Sequence, residues 1–134
     1  MTTKVQENHL SESIEDYLEA ILVLSDKLPA VRSVDVASYL GLSKPSVHHA
    51  VKIMQEEGLL DVIAPGKFLQ LTPQGMTFAR ETYRRHVFFT NMLEEIGVPS
   101  EIAESDACRI EHIISQETFD AIQRFYEKAE PKSE

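Results

Sequence analysis

The run Ser33-Val-Asp-Val-Ala-Ser-Tyr-Leu-Gly41-Leu-Ser43-Lys44-Pro-Ser-Val-His48-His49-Ala-Val-Lys52-Ile-Met-Gln-Glu-Glu-Gly58 carries start and stop signals for two consecutive helices. Val34 to Leu40 reads as a short helix that stops at Gly41, a residue free to take the left-handed conformation that ends helices. Ser43 then caps a second helix, with Pro45 in its first turn and Gly58 beyond its end. Val36, Ala37, Leu40, Leu42, Val47, Val51 and Met54 make one apolar side across both segments. Lys44, Ser46, His48, His49 and Lys52 are left exposed on the second helix. This is the pattern of a helix-turn-helix.

Two strands are expected next, Leu60 to Ile63 and Phe68 to Leu71, around the turn Ala64-Pro65-Gly66-Lys67. They form a small wing. The same residues would suit an ordinary three-helix pack with a hairpin. Helix, Gly turn, capped polar-faced helix and wing in this order point instead to binding of double-stranded DNA. Lys44, Lys52 and Lys67 would attract phosphates, and Ser46, His48 and His49, beside Pro45, are candidates for base edges.

Charge distribution agrees with that reading although net charge does not. The 134-residue chain carries −9 overall. From Arg32 to Arg85, however, seven Lys/Arg stand against five Asp/Glu, and the remainder holds six against seventeen. A mildly basic segment sits in an acidic frame. The longest apolar run, around Ala20 to Leu24, falls far short of the roughly 18 residues that span a bilayer. Met1 to His9 is too polar for a signal peptide. A cytoplasmic protein with no membrane partner is expected. A single Cys, Cys108, cannot form an intrachain disulfide, so it is an apolar filler, a redox thiol or a ligand.

Outward from the helix-turn-helix, residues 1 to 10 read as a mobile arm. Ser11 or Ser13 would cap a first helix running to about Leu28, before Pro29, with Ile14, Leu18, Ile21 and Leu22 as its core stripe. Asp16 and Glu19 lie on another face beside Ala20 and Val23. Taken alone they are surface acids favoured by the helix dipole. Thr72 and Pro73 open a long helix to about Ile96, closed by Gly97 and Pro99, with Tyr83, Val87, Phe88, Met92 and Leu93 for packing and His86 within it. Ser100 starts another helix. Ser115 caps a last one whose apolar residues are Ile122, Phe125 and Tyr126, and the tail 130 to 134 is expected to be disordered. The fold class is thus mostly α with a small β wing: a winged helix-turn-helix domain over 1–72 and a helical domain over 73–134.

Within Asp106 to Ser115, helical spacing puts Cys108, Glu111 and His112 at i, i+3 and i+4, on one face within a turn. Ile110, Ile113 and Ile114 fall opposite, as a packing face. A thiol, a carboxylate and an imidazole are three ligands for a divalent transition metal. The same trio would also suit a solvated polar face, and a lone His86 is usually structural.

Glu15-Asp-Tyr-Leu-Glu19-Ala-Ile, Lys44-Pro-Ser-Val47, Leu71-Thr-Pro-Gln-Gly75, Arg85-His86 and Ala107-Cys-Arg-Ile-Glu-His112, in this order, resemble the diphtheria toxin repressor family of metal-dependent transcriptional regulators, particularly its short manganese transport regulator branch. The resemblance covers about Ser11 to Tyr126. It implies that Asp16, Glu19, His86, Cys108, Glu111 and His112 converge on metal, with Mn(II) or Fe(II) foremost and Co(II), Ni(II) or Zn(II) as further options. It also implies that 73–134 is a helical metal-binding and dimerisation domain, and that a homodimer represses metal-uptake genes by binding operator DNA. Two positions depart from the pattern. Thr90 and Glu104 stand where the iron branch has Glu and His for a separate site, and Cys108 stands where the manganese branch has Glu. The sequence also reads as lacking the SH3-like domain of larger members.

Two other functions use parts of the same pattern. A winged-helix regulator answering an organic ligand would keep the DNA face and leave the six ligand types coincidental. A metallohydrolase would use the site to activate water, but every acid in it serves as a ligand and none is left as a general base. The sequence is therefore read as that of a non-enzyme.

Overall fold

A computed structural model describes residues 12–129. The expected arm, the cap at Ser11 and the expected tail lie outside them. The elements are α1 (Glu12–Lys27), α2 (Ser33–Leu40), α3 (Lys44–Glu56), β1 (Leu60–Ile63), β2 (Phe68–Leu71), α4 (Pro73–Glu95), α5 (Ser100–Ile113) and α6 (Gln116–Ala129). The fold is mostly helical with one two-stranded sheet, as expected. It divides into two compact units, one reaching Tyr83 and the other starting at Arg84.

In the first unit the local signals act where the sequence places them. Gly41 takes φ 69° after α2, and its N–H donates to the Ala37 carbonyl. Asp35 accepts a 2.9 Å bond from the Arg32 backbone N–H at the start of that helix. Ser43 caps α3 by accepting from the Ser46 N–H at 3.3 Å, and Gly58 takes φ 77° beyond its end. β1 and β2 pair antiparallel with Leu60 opposite Leu71 and Ile63 opposite Phe68. Val31 extends this sheet by a single bridge to Leu69, whose N–H donates to the Val31 carbonyl at 2.8 Å.

The core of this unit joins Leu18 and Ile21 of α1, Val36 of α2, Val47 and Met54 of α3 and Leu60 of β1, all at most 2% exposed. Leu42, expected in the apolar side, is 44% exposed instead. It lies one residue past the left-handed Gly41, where the chain has already left the helical register that buries Val36 and Ala37. Thr72 joins the wing to α4: its hydroxyl donates to the Gly58 carbonyl at 2.7 Å and accepts from the Gly75 N–H at 3.0 Å. Gly75 is required here because a Cβ would overlap the Leu59 carbonyl.

The second unit is built on an aromatic cluster. Phe88 meets Phe89, Phe119 and Tyr126 edge-on, with centroids 5.3, 5.5 and 5.6 Å apart. Phe89, Ala107 and Phe119 form its buried centre, with Phe88, Met92, Ile110, Ile114 and Ile122 packed around them. Tyr83 and Val87, expected to pack, are 42% and 37% exposed. The buried stripe of α4 instead runs through Gly75, Ala79, Thr82 and Phe89, at spacings of four, three and seven. His86 lies on that stripe between Thr82 and Phe89.

Candidate metal centre and nucleic-acid interface

α5 departs from the sequence expectation in part. Its buried residues are Ala103, Ala107, Glu111 and His112, while Ile113 is 73% exposed. Ala103 and Ala107 precede Glu111 at four-residue steps, and their small side chains admit close packing along that line. The face with the polar ligands is therefore buried as well, at Glu111 and His112. Ile110 and Ile114 do pack on the aromatic cluster, as expected, and Ile113 does not.

Glu111 is the centre of the arrangement. Its carboxylate has no exposed surface, and Oε1 lies 2.9 Å from His86 Nδ1. A carboxylate only accepts, so Nδ1 is the donor in this contact, and in the neutral ring Nε2 is the nitrogen with a lone pair. His112 Nε2 stands 3.4 Å from Glu111 Oε2. That oxygen is buried and has no hydrogen-bond partner. Cys108, Glu111 and His112 each offer a donor atom within 4.8 Å of the others.

An unsatisfied oxygen on a fully buried carboxylate costs free energy that a cation would recover. Oxygen, imidazole and thiol donors together suit a first-row transition metal, so the residues present fit such an ion. Glu104, which the sequence reading set outside the ligand group, has 70% of its side chain exposed and lies 3.8 Å from His86 Nε2. Thr90 Oγ1 is buried without a partner.

Asp16 and Glu19 belong to the first unit, both half-buried on α1. Their neighbours Tyr17 and Ala20 are 5% and 1% exposed. Burial pushes the Tyr17 phenol above its ordinary value, and the Asp16 carboxylate beside it pushes it further. These acids sit at the margin of a core, unlike a freely solvated pair.

The polar face of α3 is exposed as the helix-turn-helix pattern requires. Lys44, Pro45, His48, His49 and Lys52 line one open concavity of about 460 Å³. Ser46 is exposed but engaged in the cap, its hydroxyl 3.0 Å from that of Ser43. Lys67 projects from the wing turn with φ 58°. The sequence reading missed the grip of Arg85 on α5: Nη1 donates to the carbonyls of Glu111 and Ile114 at 3.1 and 2.9 Å. No motif signals such a contact, since its acceptors are backbone atoms.

Among the described residues no helix is long and apolar enough to cross a membrane. Residues 9–65 match the family described as iron dependent repressor, N-terminal DNA binding domain, and residues 72–132 match its metal binding and dimerisation domain. The transcriptional regulator MntR of Escherichia coli is 39% identical over 125 residues, 93% of this chain and 80% of the relative. MntR of Salmonella typhimurium is 40% identical over 122 residues, 91% and 77% of the two chains. The iron-dependent repressor IdeR of Mycobacterium tuberculosis is 33% identical over 111 residues, where the chain spans 82% of itself and about half, 48%, of that relative.

Among solved structures, the metal-dependent transcriptional regulator MtsR shares the fold with a TM-score of 0.77 at 23% identity, over 85% of this chain and 53% of that one. A manganese-dependent transcriptional repressor in complex with manganese gives 0.74 at 25% identity, over 83% and 51%. With a winged helix-turn-helix, a metal-fitting buried site and these relatives together, the chain belongs to the diphtheria toxin repressor and manganese transport regulator family of metal-dependent transcriptional regulators.

Proposed function

We propose that this protein is a homodimeric repressor of metal-ion uptake genes, binding operator DNA when loaded with Mn(II) or Fe(II) through Asp16, Glu19, His86, Cys108, Glu111 and His112. The observation that carries the metal reading is Glu111, buried between two imidazoles with one oxygen unsatisfied. A metal-free regulator answering an organic ligand leaves that buried oxygen unexplained.

When bound, a divalent cation supplies positive charge to be shared by oxygen, nitrogen and sulfur donors. The chain's own residues do the rest. Glu111 orients the His86 ring through Nδ1, His112 and Cys108 rise from the same turn, and Asp16 and Glu19 of α1 add two carboxylates to the donor set. Uncompensated, these carboxylates repel each other. Ligation of donors far apart in sequence favours one conformation of the chain over others, and that differential is what biases the DNA-competent state. In a dimer the two α3 helices would address successive major grooves, about 34 Å apart. Lys44, Lys52 and Lys67 attract phosphates, while His48 and His49 reach for base edges and Pro45 and Ser46 set the start of the helix beside them.

Exposed apolar side chains in the second unit support dimerisation there: Ile96, Ile102, Ile113 and Phe125 are 70%, 52%, 73% and 74% exposed. Selection from a random duplex pool tests the function, run in parallel with Mn(II), Fe(II), Co(II), Ni(II), Zn(II) and a chelator. Enrichment of a two-fold-related sequence with metal and none with chelator is expected. Enrichment of the same sequence in the chelator arm contradicts metal control.

A further inference from the structure

We propose that Arg85 is a positioning residue of the metal centre, acting through the backbone of Glu111; this rests on the reading of Glu111 and His112 as metal ligands. α5 ends at Ile113, so the carbonyls of its last turn have no partner within the helix. Arg85 supplies one. Its Nη1 donates to the Glu111 carbonyl at 3.1 Å and to the Ile114 carbonyl at 2.9 Å, while Nη2 donates to Gln116 Oε1 at 2.7 Å. One guanidinium therefore ties the end of α5 to the start of α6, and a cation there also complements the helix dipole. The ring of Phe119 lies 5.5 Å from the guanidinium carbon, which fixes the fork from the other side.

The next residue in the chain is His86, whose Nδ1 holds the carboxylate of the same Glu111. Adjacent residues of α4 thus grip Glu111 twice, Arg85 at the main chain and His86 at the side chain. The rotation and height of the last turn of α5 decide where Glu111 Oε1 and Oε2 and the His112 ring point. Arg85 sets both without itself offering a ligand, and a lysine could not, because one ammonium lacks the planar fork.

Arg84 is the control. It stacks on Phe119 at 4.9 Å and donates to Gln123 Oε1 at 3.0 Å, on α6.

The test measures Co(II) affinity and the visible Co(II) spectrum of full-length wild type, Arg85→Lys, Arg85→Gln and Arg84→Gln, together with apo-protein melting. Both Arg85 variants are expected to fold cooperatively, bind Co(II) about 10- to 100-fold more weakly and show an altered spectrum; Arg84→Gln should match wild type. Wild-type affinity or spectrum in either Arg85 variant overturns the proposal. So does failure of apo Arg85→Lys to fold, which makes Arg85 a purely structural residue, and so does an equal loss in Arg84→Gln. Absence of Co(II) binding by wild type is a different result, since it removes the metal reading itself.

Discussion

His86 and Glu111, twenty-five residues apart in sequence, meet through Nδ1 and Oε1 at 2.9 Å inside a unit that buries the carboxylate completely. The contact orients an imidazole and leaves the second carboxylate oxygen without a donor. Replacing Glu111 by Gln removes the buried charge while keeping shape and one acceptor. Metal affinity should fall by more than the roughly 10- to 100-fold that loss of an outer-shell partner costs. The apo variant should melt no lower than apo wild type, because a buried carboxylate with one oxygen lacking a hydrogen bond has gone. Calorimetry of metal binding and thermal melts of the apo proteins check both; retained affinity would show that Glu111 is not a ligand.

Asp16 and Glu19 are half-buried on α1, far in sequence from the other donors. The double variant Asp16→Asn, Glu19→Gln should change stability by no more than about 0.5 kcal/mol. It should fold, bind duplex DNA weakly, and show no strengthening of that binding by metal. Metal-stimulated binding equal to wild type would reduce these acids to surface residues.

The cations of the DNA face act through phosphates. Lys44→Ala, Lys52→Ala and Lys67→Ala should each weaken binding to any duplex and lower the slope of log affinity against log salt by about one unit. Metal affinity should not change. Salt titrations of the three variants decide, and unchanged slopes in all of them would move the interface elsewhere.

Cys108 is where this chain departs from the manganese branch it otherwise resembles. A thiolate is a softer donor than a carboxylate, so Cys108→Glu should shift activation toward Mn(II) relative to Fe(II) or Co(II). Coordination by a thiol releases its proton, so wild-type affinity should rise with pH near neutrality. The Glu variant should rise less, since a carboxylate has no proton to release there. Affinities for the three ions at pH 6.5 and 8, both chosen as rough brackets of neutrality, test this. Identical profiles for the two proteins would make Cys108 a packed thiol.

Much of the fold was legible because its signals are local. Gly41, Ser43 and Gly58 act on residues within a few positions of themselves, and the turn residues Ala64 to Lys67 mark where the two strands of the wing end. The candidate site was legible as a set of residue types but not as an environment. Spacing shows that Cys108, Glu111 and His112 share a turn; it does not show which side of α5 is buried. The apolar isoleucines suggested one side, whereas the small Ala103 and Ala107 admit close packing along the other. The same limit applies to α4, where Phe89 rather than Val87 faces inward. The contact made by Arg85 was invisible because its acceptors are backbone carbonyls distant in sequence.

The central claim is that metal loading controls DNA binding. Its most direct test is fluorescence anisotropy with one duplex recovered by selection, titrated with wild-type protein in chelator and then in excess Mn(II). Affinity should rise at least about 100-fold with metal, a differential of about 2.7 kcal/mol at room temperature, and return on re-addition of chelator. Equal affinity in the two conditions, at the same salt and pH, would contradict the account.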